Sequence, residues 1–183
     1  MTETDMTVAF ETYERISLQD PSRKWELVRG RLREKPLMTM KHEVTARLLP
    51  YLLLSQLNRR EWSVGPARLR ISTGTYYVPD VVAVPMSLAK NLRPDQFEVY
   101  TDPVPLVVEI WSPSTGNYDV DDKLPEYQLR GDLEIWRIHP YEHTLTSWRR
   151  QPDGSYTEEV IRTGIIQPFA LPNVIIDLDE LLA

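Results

Sequence analysis

The sequence contains no cysteine, and that absence excludes disulfide frameworks, thiolate zinc sites and cysteine nucleophiles. Glycine is scarce: seven residues, scattered singly, form neither a phosphate-cradling loop nor a dinucleotide fingerprint. No apolar run is long enough to cross a bilayer, and the opening MTETDMTVAF carries acids where a secretory signal would carry lysine or arginine. The expected setting is the cytoplasm, with no membrane partner. A basic balance is missing too. The formal charge of −6 and a pI near 5.2 argue against a broad nucleic-acid-binding surface. Only local groups, such as Arg59 with Arg60 or Arg68 with Arg70, are left to form a positive patch, and solvated surface charge is the simpler reading of each.

What is present fits one core. With 183 residues, 42% hydrophobic and 26% charged, residues 1–183 are expected to form a single domain. Met6, Phe10, Tyr13 and Ile16 give residues 5–18 the stripe of a short amphipathic helix, and WELVRGRLREKP reads as a β-hairpin turning at Arg29-Gly30. Residues 41–58 are helical by periodicity, with Val44, Leu48, Tyr51, Leu52 and Leu57 expected inward and Pro50 as an interruption. The texture then changes to valine-rich and aromatic strands: WSVG, ARLRIST, YYVPDVVAVP and VPLVVEIW. Residues 88–102 read as a loop with at most a helical turn. A helix is expected to start near Asp121 or Asp122, with Pro125 in its first turn and Gly131 as its left-handed cap. Strands and hairpins follow, with Asp153-Gly154 as a turn, and NVIIDLDELLA closes the chain as a strand-like end or a short helix. The fold class is α/β.

Two of those strands carry a lone carboxylate, Asp80 in YYVPDVVAVP and Glu109 in VPLVVEIW. A buried charge costs several kcal/mol, roughly a whole domain's stability, unless something compensates it. If the two strands are neighbours, the carboxylates share one edge of the core and suit a hard cation such as Mg²⁺. Lys123, fourteen positions beyond Glu109, is the candidate for stabilising developing negative charge or orienting a water. The structural alternative pairs each carboxylate with an arginine such as Arg68 or Arg137. Other constellations are weaker. His139 and His143 lack a third zinc ligand and flank Pro140, Ser112 and Ser114 lack a nucleophile elbow, and no sugar-stacking aromatics accompany a glycosidase-like carboxylate pair.

The order VPD, VVEIWSPST, D…K…Y…G and EIWRIHP resembles the Uma family of restriction-endonuclease-like proteins, within the PD-(D/E)XK nuclease superfamily. The resemblance runs from WELVRGRL to LPNVIIDLDELL and is most specific in the middle third. It implies a restriction-endonuclease-like mixed sheet flanked by helices and a Mg²⁺-dependent phosphodiester hydrolase, with Mn²⁺ as an alternative metal and DNA as the partner. Pro79-Asp80 and Glu109 then match the signature, with Asp80, Glu109 and the Ile110 carbonyl as metal ligands. Trp111 stands where the signature lysine is expected, and Lys123 matches the position family members use on the following helix. Asp119, Lys123 and Tyr127 are spaced four apart and fit one helix face. Glu26 and His42 fall where the resemblance has polar residues near the site; a solvent-facing hairpin carboxylate and a surface histidine are their plain readings. Duplex DNA is two-fold symmetric, so a homodimer is expected. A protein of this fold that is catalytically silent and binds nucleic acid or another ligand is the competing class.

Overall fold

A computed structural model describes residues 7–89 and 97–183. Among the described residues four helices and twelve strands follow in order: α1 (Phe10–Gln19), β1 (Trp25–Val28), β2 (Arg31–Glu34), α2 (Met40–Leu54), β3 (Trp62–Gly65), β4 (Leu69–Ser72), β5 (Thr75–Tyr77), β6 (Val81–Pro85) and β7 (Leu106–Ile110). A π-helical turn (Asp119–Lys123) then runs into α3 (Leu124–Arg130). It is followed by β8 (Glu134–His139), β9 (Thr144–Arg150), β10 (Tyr156–Ile161), β11 (Ile165–Ile166), β12 (Ile176–Asp177) and α4 (Leu178–Leu181).

The central sheet has the order β10-β9-β8-β7-β6-β3 and is mixed: β7 and β8 run parallel, joined through α3, and the other pairs are antiparallel. Both of its faces are covered, as the continuous apolar texture of β6 and β7 requires. On one side Val81, Ala83, Val108 and Ile138 pack with Leu49 and Leu53 of α2 and with the C-terminal segment. On the other, Val82, Val107 and Ile135 pack with Leu124 and Tyr127 of α3. A smaller antiparallel sheet, β2-β1-β5-β4, packs on α1 through Tyr13, Leu27 and Tyr76. The hairpin between β1 and β2 turns at Arg29 and Gly30, both at positive φ (52° and 77°), the geometry that matches strand twist.

Four expectations change. YYVPDVVAVP is two strands in two sheets, because Pro79 cannot donate to a ladder, and Asp80 stands one residue before β6 rather than inside a strand. Helix α2 turns a different face inward: His42, Thr45, Leu49 and Leu53 are buried, whereas Val44 and Tyr51 are exposed. Leucines at 48, 49, 52, 53 and 54 surround the helix, so periodicity alone could not fix its rotation, and His42 has a buried partner that does. Pro50 is accommodated inside the helix. The helix after β7 begins at Asp119, earlier than expected, as the π-turn. The first residues of the N-terminal helix expected over 5–18, including Met6, and part of the 88–102 loop lie outside the described residues; the helix itself begins at Phe10.

Gly131 ends α3 at φ 90°, and its N–H reaches the carbonyls of Tyr127 and Gln128. A Cβ there meets only ordinary contacts, so the cost of Gly131→Ala is the left-handed backbone itself. The substitution should remove about 1–2 kcal/mol and lower the melting temperature by roughly 2–8 °C, read by calorimetry.

Candidate active site

The chain crosses from the smaller sheet to the larger one at Val78-Pro79-Asp80, between β5 and β6. That crossing exposes backbone groups no ladder can satisfy, and side chains from both sheets take them. Glu26 of β1 accepts the Val78 N–H at 2.9 Å, and Lys35, just past β2, donates to the Val78 carbonyl at 2.9 Å.

Strands β6 and β7 pair Val81 with Val108 and Val82 with Val107. One step beyond that register stand Asp80 and Glu109, on the α3 side of the sheet with Val82 and Val107. The Ile110 N–H donates to Asp80 Oδ2 at 2.9 Å, and His42 Nε2 lies 3.1 Å from the same oxygen. Glu109 Oε1 accepts from Tyr127 Oη at 2.7 Å and from Lys123 Nζ at 3.0 Å. Lys123 also donates to Glu26 Oε1 at 2.9 Å and lies 3.8 Å from Asp119. The π-turn makes this possible. Its wide bond from the Leu124 N–H to the Asp119 carbonyl precedes Pro125, which has no N–H to give, and Asp119 and Lys123 both point inward.

The structure therefore brings Glu26, His42, Asp80, Glu109, Ile110, Asp119, Lys123 and Tyr127 together, all buried. Arginines are not the partners. Arg68 stacks on Phe97, and Arg137 bonds to Asn117. Trp111, in place of the signature lysine, stacks on His139 with ring centroids 4.1 Å apart.

Sequence reasoning missed Lys35. It follows a hairpin strand with two exposed ends and precedes a proline, so it reads as solvated charge, yet its side chain is only 7% exposed. Its ammonium lies 3.0 Å from Asp80 Oδ1 and 3.7 Å from Glu109 Oε2. Each carboxylate thus spends one oxygen on fixed donors and turns the other toward the same point. Those two oxygens and the Val78 carbonyl are hard oxygen donors, the type a hard cation takes. Among the described residues no three His, Cys, Asp or Glu side chains form a ready metal cage, so a metal here would rest on two carboxylates, backbone oxygen and water.

The two carboxylates differ in acidity. Burial raises Asp80, but the Lys35 charge and the His42 hydrogen bond outweigh it and hold the group well below the usual carboxylate range. Burial also raises Glu109, and here the lysines compensate only partly, because Lys123 is shared with Glu26 and Lys35 with Asp80. With Asp119 and Asp80 adding repulsion, Glu109 is pushed up to about 7. Burial likewise raises Asp119. Burial disfavours both ammoniums, yet the facing carboxylates raise Lys35 and Lys123 above the ordinary value. The cluster holds more negative charge than its lysines neutralise.

With this geometry in place, the comparisons give the class. A solved structure entitled "putative nuclease belonging to DUF820", from Anabaena variabilis, has the same fold: its TM-score is 0.75 over 96% of this chain and 97% of that one, at 17% identity. No curated protein matches the chain. The chain belongs to the Uma2 family, described as "Putative restriction endonuclease", whose model matches residues 10–179. Fold and family are those of restriction-endonuclease-like nucleases, as the resemblance in the sequence implies.

Two outcomes follow from the cluster. Removing Lys123 leaves Glu26 and Glu109 buried without their shared cation, so Lys123→Met should cost about 3–5 kcal/mol in denaturant unfolding. Glu109 has a folded pKa above its ordinary 4.5. The stability this gives is complete below about pH 4.5 and is lost as pH rises toward 7, a fall on the order of 3 kcal/mol in metal-free protein. Glu109→Gln cannot titrate. The wild type should lose stability relative to it across that window, and parallel pH profiles would show that Glu109 stays ionised.

Proposed function

We propose that Asp80 and Glu109 bind a divalent cation, Mg²⁺ with Mn²⁺ as an alternative, and that residues 1–183 act as one domain hydrolysing phosphodiester bonds in DNA. One observation carries this reading: the carboxylate just before β6 and the one on adjacent β7 turn their unshared oxygens toward a single, already cation-bearing position. The donor set fits a hard metal ion. The Ile110 carbonyl is a further oxygen for it, since Ile110 is already tied to Asp80 through its N–H. When bound, such a cation supplies Lewis-acid stabilisation of the phosphoryl oxygens and a more acidic water.

The chain's own residues do the positioning. His42 and the Ile110 N–H hold Asp80 by one oxygen, leaving the other free of fixed donors. Tyr127 and Lys123 do the same for Glu109. Lys123 adds a fixed positive charge beside the site, where it opposes negative charge developing on the phosphate. A two-fold partner would match the symmetry of duplex DNA. Among the described residues no helix is long and apolar enough to cross a membrane.

A second reading rests on Lys123 as well. Its near neighbours Glu26, Glu109 and Asp119 surround the ammonium with carboxylate, leaving little donor capacity to orient a water, as in a silent protein that keeps the fold and uses the cleft for binding. Cleavage separates the two. Duplex, single-stranded and branched DNA should be incubated with Mg²⁺ or Mn²⁺ at low salt, because phosphate contacts weaken as salt rises. Wild type should cleave at least one substrate, and Asp80→Asn should cut about 10²-fold more slowly or worse while remaining folded. Equal cleavage by both proteins would expose a contaminant. Metal binding without cleavage of any substrate would favour the silent binder.

A further inference from the structure

The buried ammonium between the two carboxylates belongs to a residue that the hydrolytic scheme does not use. Lys35 leaves the chain immediately after β2, at the start of the Lys35–Thr39 connection to α2, which includes Pro36 and the almost fully exposed Leu37. Its Nζ contacts three oxygens: Asp80 Oδ1 at 3.0 Å, the Val78 carbonyl at 2.9 Å and Glu109 Oε2 at 3.7 Å. The carboxylate oxygens are the two that His42, the Ile110 N–H, Tyr127 and Lys123 leave open. A divalent ion and this ammonium would need the same oxygens. Two cations within bonding distance of one oxygen pair repel strongly in a buried setting.

We propose that Lys35 is a tethered counter-cation holding the divalent ion's place, so that metal loading is an exchange in which Lys35 withdraws from Asp80 and Glu109. The inference rests on the reading of that pair as a cation site. Room for the exchange adjoins it. A cavity of about 470 Å³ is lined by Lys35 and Asp80 together with Glu34, Leu37, Met38 and Glu43. The side chain need only rotate about its flexible stem to enter it; Glu34 and Glu43 stand at its solvent-facing side, paired with Arg23 and Arg47, and Arg23 and Lys24 line it too, so the withdrawn ammonium would be held chiefly by water. Lys35 is a positioning residue in this scheme. It keeps the metal-free carboxylates from repelling each other and sets how much metal the site demands before it loads.

Lys35→Met keeps the length of the side chain and removes the competing charge. Mn²⁺ titrations followed by electron paramagnetic resonance should show the variant binding about tenfold more tightly than wild type, or ~1.4 kcal/mol. A second readout uses the wild type, in case the variant does not fold. Acylation by an amine-specific reagent, mapped by mass spectrometry, should rise at Lys35 as Mn²⁺ is added, with half-saturation at the concentration that half-saturates the resonance signal. Lys123 should stay protected throughout. Equal affinity in the two proteins with flat labelling of Lys35 overturns the exchange and leaves the metal site standing. Weaker binding in the variant overturns it as well, since Lys35 would then be organising the site. Mn²⁺ binding to neither protein overturns the cation site and this inference together.

Discussion

The fold is organised around an excess of buried negative charge at the junction of its two sheets. Glu26, Asp80, Glu109 and Asp119 face two ammoniums and one histidine, and no element supplies both halves of a pair by itself except the π-turn. The smaller sheet gives Glu26 and, from the end of its hairpin, Lys35. The central sheet gives Glu109 and, at its entry, Asp80. Helix α2 gives His42, and the π-turn with α3 gives Asp119, Lys123 and Tyr127. Each ionised group is tolerable only while the others are in place, because a lone buried charge costs several kcal/mol. The cluster therefore fixes how the sheets and helices meet, and fixes the cleft in doing so. Apolar packing of Leu69 and Tyr77 against Val82 and Val107 joins the sheets as well, and the charge cluster adds directional contacts to it.

A buried carboxylate on a strand is not enough to mark a site, and Glu134 shows the difference. It is fully buried in β8, but its oxygens are met by the Trp136 and Ala170 N–H groups, the Ser147 hydroxyl and the nearby Arg149. Neutral donors from three segments satisfy it, so it joins β8 and β9 to the segment leading into β12 and has nothing left to offer a ligand. Asp80 and Glu109 are each met by fixed donors on one oxygen and by the Lys35 ammonium on the other. That asymmetry is what the proposed cation site rests on.

Asp80 and Glu109 were legible in the sequence because each interrupts an apolar run, a pattern that only a compensated charge can sustain. Lys123 was marked by its place after Glu109 and, with Tyr127, by the family resemblance and a four-residue spacing that suits one helix face; Pro125 and Gly131 were legible through their cap chemistry. The hairpin at Arg29-Gly30 and the positions of most central strands along the chain followed from turn residues and β-branched texture, but their order in the sheets did not. Lys35 was not legible. Nothing local distinguishes it from its exposed neighbours, because its burial depends on a carboxylate pair more than forty residues away. The rotation of α2 was hidden for a related reason: with leucine on several faces, only the long-range contact from His42 to Asp80 selects one. Missing from local pattern, in both cases, is the partner.

The displaced lysine follows the same physics. Two residues beyond Glu109 a strand would return its side chain to the Glu109 face, where a lysine would reach the carboxylates directly. Here β7 ends at Ile110, and Trp111, its N–H bonded to the Ile138 carbonyl, lays its ring on His139 instead. The cation must then come from another element, and the π-turn supplies it from fourteen residues further along at 3.0 Å. Lys123 reaches Glu109 of one sheet and Glu26 of the other, so moving the charge from the strand to the helix also joins the two sheets. The consequence is a division of labour between lysines. Lys123 is surrounded by the carboxylates that hold the junction together, and Lys35, on the cavity side, is the one with somewhere to go.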